Sequence, residues 1–303
     1  LISKMQNTKA YIMLVCATLF WAGNFIVGRA FSSDLGAITM SFYRWLLAFV
    51  LLLPVTFQTV RVELPIILRN LPILSLLALL SVASFNVLLY LGLRHTEATN
   101  ALLINSSIPV WIVLFGVIFY GDSLTTRRGL GITISLAGVS FLILSDLNDH
   151  LQINSGDLWV ISSSIGWALY SLTLRKKPSE LSGLGFLTYI VFFGVCFNGL
   201  LLSINPLNEP PLPMNLDTLF AIGYVAVFAS LGAYICWNYG VAQLGAQVAG
   251  QYIHLMPLYG VVLAFLFLNE SLTSNHWIAG LLIATGLILA LRQPKRDLAS
   301  DPS

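Results

Sequence analysis

"LFWAGNFIVGR", residues 19–29, lies inside the first long apolar run of a 303-residue chain, yet it carries Trp21, Asn24 and Arg29. A second stretch, "IGWALYSLTLR" at 165–175, repeats the pattern. A shift of 146 residues superposes Trp21 on Trp167, Ala22 on Ala168, Arg29 on Arg175 and Tyr43 on Tyr189. A shift of 148 then matches Gly92 with Gly240, Ala98 with Ala246, Pro109 with Pro257, Phe119 with Phe267, Gly138 with Gly286, and "GDSLT" (121–125) with "NESLT" (269–273). Leu and Ala match by chance in apolar sequence, but an offset held through Trp, Pro and an acidic-Ser-Leu-Thr turn marks an internal duplication.

The setting of that duplication is a lipid bilayer. The chain is 57% hydrophobic and 9% charged, against about 25% charged for an ordinary soluble domain. About 20 apolar residues cross a hydrocarbon core as a helix, and runs and breakers predict ten such spans: 10–31, 36–58, 71–93, 97–120, 127–145, 157–176, 184–204, 217–239, 246–268 and 275–292. Each half holds five, an odd number, so the second half enters the membrane from the opposite face. The fold expected is an all-α polytopic membrane protein of ten transmembrane helices in two inverted five-helix repeats, 1–150 and 151–293. Residues 294–303 read as a polar cytoplasmic tail.

Basic residues set the orientation. With a cytoplasmic N-terminus, the inner side collects Lys4, Lys9, Arg61, Arg69, Arg127, Arg128, Arg175, Lys176, Lys177, Arg292, Lys295 and Arg296, against Arg94 and Arg29 outside. This predicts an integral protein of the cell (inner) membrane with both termini cytoplasmic. The first run is too long for a signal-peptide core and lacks a small-x-small cleavage site, so it reads as a membrane helix. Cys16, Cys196 and Cys236 form no C-x-x-C or Cys/His spacing and read as packing residues, not as a disulfide or metal site. No cofactor and no nucleic-acid partner is expected.

Ten spans, the five-plus-five duplication and the acidic-Ser-Leu-Thr turn after the fourth span of each half resemble the EamA branch of the drug/metabolite transporter superfamily. Arg44 in "SFYRWLLAF" is similar to the arginine those proteins carry early in their second helix; the second half has Ile190 in its place. Within the branch the chain most resembles the YddG-type amino acid exporters. The resemblance implies a secondary transporter, assigns helices three and eight to the cavity wall, and implies that helices five and ten are peripheral and able to form a dimer contact. A monomer or a homodimer through those helices is expected, their small residues Gly131, Ser135, Gly138, Gly280, Ala284 and Gly286 suiting close packing.

Inverted repeats place a substrate site near the midplane between the halves. Trp21 and Trp167 sit at the centres of their spans, too deep for the interfacial aromatic belt, and an indole N–H facing lipid would be unpaired. Two readings follow, cavity lining and interhelical packing; Asn24, Tyr170 and Ser171 one turn away favour lining. Arg29 and Arg175, at span ends, read as snorkelling anchors. Pro109 and Pro257 each remove a backbone hydrogen bond in mid-span, predicting kinks beside Asn105, Trp111, Gln251, Tyr252, His254 and Tyr259, which either line the path or satisfy freed carbonyls. Asn86, Tyr90 and Tyr234 complete the candidate substrate cavity. Arg44 is open between a substrate carboxylate, snorkelling and a structural salt bridge.

All thirteen acidic residues fall in loops or at span ends, so no buried Asp or Glu is expected as a proton relay. His254 is the only histidine at membrane depth, and facilitated transport is the favoured mechanism. No G-x-x-x-x-G-K-[ST], G-x-S-x-G or H-E-x-x-H occurs, which argues against ATP coupling and against an enzyme. An aromatic, nearly uncharged chamber suits a neutral or aromatic amino acid or a related small metabolite: rings hold an ammonium group by cation–π contact and Asn, Gln, Ser and indole donors hold a carboxylate. The alternatives are another small metabolite or drug, and proton coupling through His254.

Overall fold

The computed structural model describes residues 2–122, 125–145 and 154–291, which hold helices and no strand. Helical pieces that run end to end form rods, numbered here in chain order: α1 (Ile2–Ala30), α2 (Ala37–Arg69), α3 (Leu71–Leu93), α4 (Ala98–Tyr120), α5 (Thr126–Ser145), α6 (Ser155–Thr173), α7 (Gly183–Ile204), α8 (Leu216–Leu244), α9 (246–268) and α10 (Ser274–Leu291). Seven of them, α1 to α4 and α7 to α9, are long and apolar enough to cross a membrane. The others, α5, α6 and α10, have 20, 19 and 18 residues, about 27 to 30 Å at the helical rise. Large apolar side chains such as Val55, Leu200, Phe220, Phe265 and Leu281 face outward, exposed, as a hydrocarbon surrounding requires.

The expected boundaries hold to a few residues except in α1, which begins at Ile2 and not at 10, and in α2, which continues past 58 to Arg69 through Pro54 and Pro65. Each proline removes one hydrogen bond from the helix, and the added turns carry Arg61, Glu63 and Arg69, which suit an end outside the hydrocarbon. Four other rods are irregular. In α3, residues Leu79–Ala83 form a π-helical turn, and in α8 the π-helical stretch is Val225–Gly232; their first residues are one repeat shift of 146 apart. Proline accounts for the remaining two: α4 is interrupted at Ser106–Ser107 ahead of Pro109, and α9 passes through a 3-10 turn at Tyr252–His254 ahead of Pro257.

The main helix pairings join the first half of the chain to the second: α1 with α8 and α9, α6 with α3 and α4, α2 with α7, and α5 with α10. Exchanging the halves returns the same set. The α2–α7 pair runs antiparallel, since along α2 the side chains of Ser41 and Thr56 meet Asn198 and Thr188 of α7 in reverse order, at 3.2 and 2.9 Å, whereas α1 and α9 run parallel, Tyr11 stacking on Tyr252 and Ile26 packing with Ala264. Between α5 and α10 a Cβ on Gly138 would lie 2.8 Å from Leu282 Cβ, and one on Gly286 would lie 2.8 Å from Ser135 Cβ. The close packing expected of these small residues thus joins α5 to α10 at Gly138 and Gly286.

Some of the acidic residues expected in loops or at span ends are buried there. Glu63, Glu209 and Asp157 are 7%, 8% and 0% exposed, because each of them meets donors of another segment. Glu209 accepts from the amides of Ile38 and Thr39 at the start of α2 at 3.1 and 2.8 Å; Gly36, the N-cap there, has no side chain of its own to do so. Glu63, one shift of 146 earlier, accepts from Ser182 N at the start of α7 at 2.8 Å. Glu270 accepts from the amides of Ala98 and Thr99 at the start of α4, both at 3.0 Å. Asp157 accepts from Thr96 Oγ1 at 2.6 Å. All four lie near helix ends, so the midplane stays free of acid. Carboxylates there satisfy orphan N–H groups and meet the positive end of the helix dipole.

Candidate functional site

Where α1, α3, α6 and α8 cross, aromatic rings fill the centre of the bundle. The rings of Trp21 and Trp167 stand edge to face with centroids 5.0 Å apart and planes at 80°. Trp167 also touches Phe85, Tyr170, Tyr234 and Trp237 at 5.0 to 5.8 Å. Trp21 Nε1 donates to the carbonyl of Ala229 at 3.1 Å, within the π-helical stretch of α8. Tyr234 OH donates to Ser81 O, in the matching turn of α3, at 3.1 Å. A π turn displaces carbonyls from the regular ladder, and here those carbonyls orient the rings. Trp21, Asn24, Asn105 and Trp167, with Phe25, Phe85 and Met256, enclose a central space of about 10 Å³, roughly what one water occupies. In this conformation the centre is closed.

Polar pairs flank the rings. Tyr90 OH donates to Asn24 Oδ1 at 2.7 Å, linking α3 to α1. One shift of 146 to 148 later, Tyr170 OH donates to Asn238 Oδ1 at 2.8 Å, linking α6 to α8; the bond recurs with tyrosine and asparagine exchanged. The first pair alone carries a cation. Arg44 is 1% exposed and donates from Nη1 to Asn24 Oδ1, Asn86 Oδ1 and Tyr90 OH at 2.9, 2.8 and 2.6 Å, and from Nε to Ser230 Oγ at 2.9 Å. Neither snorkelling nor a salt bridge describes it, since it is enclosed and, among the described residues, the one ion pair joins Arg175 to Asp122 at 3.1 Å.

Two larger cavities open at opposite ends of the bundle. One, about 790 Å³, lies where α6 and α8 finish and α7 and α9 begin, lined by Ser171, Arg175, Lys177, Asn238 and apolar residues. Ser171 Oγ and Asn238 Nδ2 find no hydrogen-bond partner among the described residues. The other, about 1140 Å³, is polar and lies between the end of α1, the α3–α4 turn and the α9–α10 turn, with Arg29, Arg94, His95 and Glu270 in its wall. Lys177 sits outside the helices; burial lowers its ammonium pKa below 10.5, and Glu63 and Glu180 oppose that by raising it.

Not every expected residue reaches the centre. Asn86 and Tyr90 stand behind it, on Arg44; Tyr170 and Tyr234 belong to the ring cluster, and Ser171 to the cavity of about 790 Å³. Trp111 bonds Ser107 Oγ at 3.0 Å and stacks on Phe115, while Tyr252 stacks on Tyr11 at 6.0 Å. His254 lines a lateral crevice of about 280 Å³ with Ser106 and His276, and Tyr259, partly buried, is absent from the central wall. Around the interruptions of α4 and α9 it is Asn105, Ile108, Ile253 and Met256 that reach the central wall. The side chain of Gln251, residues 123–124 and 146–153, and the tail 294–303 lie outside the described residues. Trp45, Ser230 and Met256 are central and unpredicted, and Ser230 depends on the π turn; Trp237, which its place near the end of span 217–239 leaves open between cavity wall and interfacial belt, stands against Trp21 and Trp167.

Membrane-crossing helices around a closed polar-aromatic centre, with a cavity at either end, describe an integral membrane transporter. The pattern of the EamA-like transporter family matches residues 8–144 and again 154–292, and the chain belongs to that family, within the drug/metabolite transporter superfamily. It is 27% identical over 288 residues, 94% of this chain and 98% of the other, to an uncharacterized transporter of Archaeoglobus fulgidus. It is 24% identical over 302 residues, 98% of this chain and 99% of the other, to a probable terminal-alkyne amino-acid exporter of Streptantibioticus cattleyicolor. A solved crystal structure of a protein superposes with a TM-score of 0.65 at 15% identity, covering 93% of this chain and 96% of that one, which shows a shared fold.

Proposed function

We propose that this chain is a secondary transporter that moves neutral or aromatic amino acids and related small metabolites out of the cell by alternating access. It is built as two inverted repeats, 1–150 and 151–293, that cross the inner membrane ten times with both termini and the tail 294–303 cytoplasmic. The observation that carries the reading is the contact of Trp21 with Trp167, repeat-equivalent indoles from opposite halves, closing the centre between two end cavities. Rocking the halves about that contact opens the centre to one end or the other. Ring faces suit an apolar or ammonium-bearing solute, and the amino-acid exporter of Streptantibioticus supports the substrate class. Transport is facilitated, with no carboxylate at the midplane to relay protons. A second reading, proton coupling through His254, rests on its buried Nε2, which has no partner among the described residues.

Uptake of radiolabelled amino acids into liposomes holding the purified protein, with and without a pH gradient, tests both. Saturable uptake indifferent to the gradient and lost in Trp167→Ala supports the facilitated carrier. Gradient-driven uptake abolished by His254→Gln supports the second reading, and no amino-acid uptake removes the substrate class.

A further inference from the structure

We propose that Arg44 is the carboxylate-binding group of the transport site; this deepens the amino-acid reading above and rests on it. Arg44 lies seven residues into α2, about 10 Å from its start at the helical rise. A guanidinium stays protonated, and a buried cation is ordinarily matched by a carboxylate. Among the described residues no carboxylate pairs with Arg44. Its neighbours are neutral: Ser230, Asn24, Asn86 and Tyr90 take Nε and Nη1, while Nη2 reaches only the carbonyl of Val225, at 3.4 Å, the longest contact of the set.

The architecture does not need this charge. One repeat shift carries Arg44 onto Ile190, fully buried in α7, and the second half makes its equivalent bond, Tyr170 to Asn238, with isoleucine in that place. The arginine therefore adds to one half an unmatched positive charge directly behind Asn24, a wall residue of the central space. The rings of Trp45 and Tyr90 lie 5.2 and 5.8 Å from Cζ, and the Nη edge faces the weakly held Val225 carbonyl. A ligand carboxylate arriving past Asn24 displaces that contact and meets Nη1 and Nη2 in the two-pronged geometry arginine favours. Its apolar or ammonium end then rests on the tryptophan cluster. A neutral solute leaves the charge unmatched, and a phosphate brings more negative charge than one arginine meets.

The test uses three ligands that share a phenyl ring: L-phenylalanine, 3-phenylpropionate, which lacks the ammonium group, and phenethylamine, which lacks the carboxylate. Affinities are read from the ligand-induced rise in melting temperature of the detergent-solubilised full chain. The expected result is that wild type prefers the two carboxylates and that Arg44→Gln weakens both by about tenfold or more, with phenethylamine unchanged. Arg44→Lys, a point charge without the fork, recovers part of the loss. Asn24→Asp places a carboxylate against the guanidinium at nearly constant shape, so it weakens the same two ligands and favours the amine even if Arg44→Gln does not fold. Equal ranking of phenethylamine and phenylalanine by wild type, or equal loss of all three in Arg44→Gln, overturns the proposal. Binding of 3-phenylpropionate without phenylalanine upholds the anion site and removes the amino-acid reading; binding of none of the three removes both.

Discussion

Trp167 touches five other rings at 5.0 to 5.8 Å, more than any other side chain in the cluster. Trp167→Ala is expected to lower stability by roughly 3–5 kcal/mol, the usual range for a buried large aromatic cut to alanine. Trp167→Phe keeps most of that, so a melting curve separates unfolding from lost transport. Lys177 gives a second residue-scale expectation. Burial makes the folded chain hold this proton less tightly than the unfolded chain, so stability rises as pH climbs from the lowered pKa toward 10.5. Melting temperatures across that window should rise in wild type and stay flatter in Lys177→Met; the reverse slope contradicts the assignment. The depth of Trp21 and Trp167 was legible because helical rise converts residue number into position. The enclosure of Arg44 was not: its hydrogen-bond partners come from three other helices, α1, α3 and α8, and sequence spacing carries no information about distances across helices.

At the scale of the helix, the borrowed caps matter most. Glu209 serves two amides and the hydroxyl of Thr39 at the start of α2, at 2.8 to 3.1 Å. Glu209→Ala leaves those donors buried without an acceptor and should cost about 1–3 kcal/mol, read as a lower melting temperature. An unchanged melting curve would mean that water reaches the amides. The starts and lengths of most helices could be read from apolar runs and breakers, and the breaks in α4 and α9 from proline. The π turns in α3 and α8 could not, because a one-residue change in hydrogen-bond register leaves composition and apolar period almost untouched. Glu63 and Glu209 illustrate the same gap: each looks like an ordinary polar residue near a helix end until the helix it caps is known.

At the scale of the molecule, the two ends differ in their ion pairs. Arg175 binds Asp122 with both nitrogens, at 3.3 and 3.1 Å. Their repeat counterparts, Arg29 and Glu270, share a cavity wall but bind elsewhere, Arg29 to Leu93 O at 2.8 Å and Glu270 to α4. If the pair works as a latch, Asp122→Arg or Arg175→Asp alone should change the transport rate severalfold, while the double exchange restores it. Stability should move little, since a surface pair is worth about 0–1 kcal/mol. Additive effects in the double variant would instead mean that the two residues act separately.

The cross-half pairing also bears on how the molecule is made. Helices of the first half leave the ribosome with their main partners still unsynthesised, α1 waiting for α8 and α9 and α5 waiting for α10. Insertion and tertiary assembly are therefore separate events in time, and the first half must persist in the bilayer as individually stable but loosely associated helices. Of the described helices, α10 is translated latest and gives α5 its closest neighbour, so a truncation that removes it leaves a vulnerable helix far upstream. Quality-control proteases of the membrane would meet that defect far from where the chain was cut.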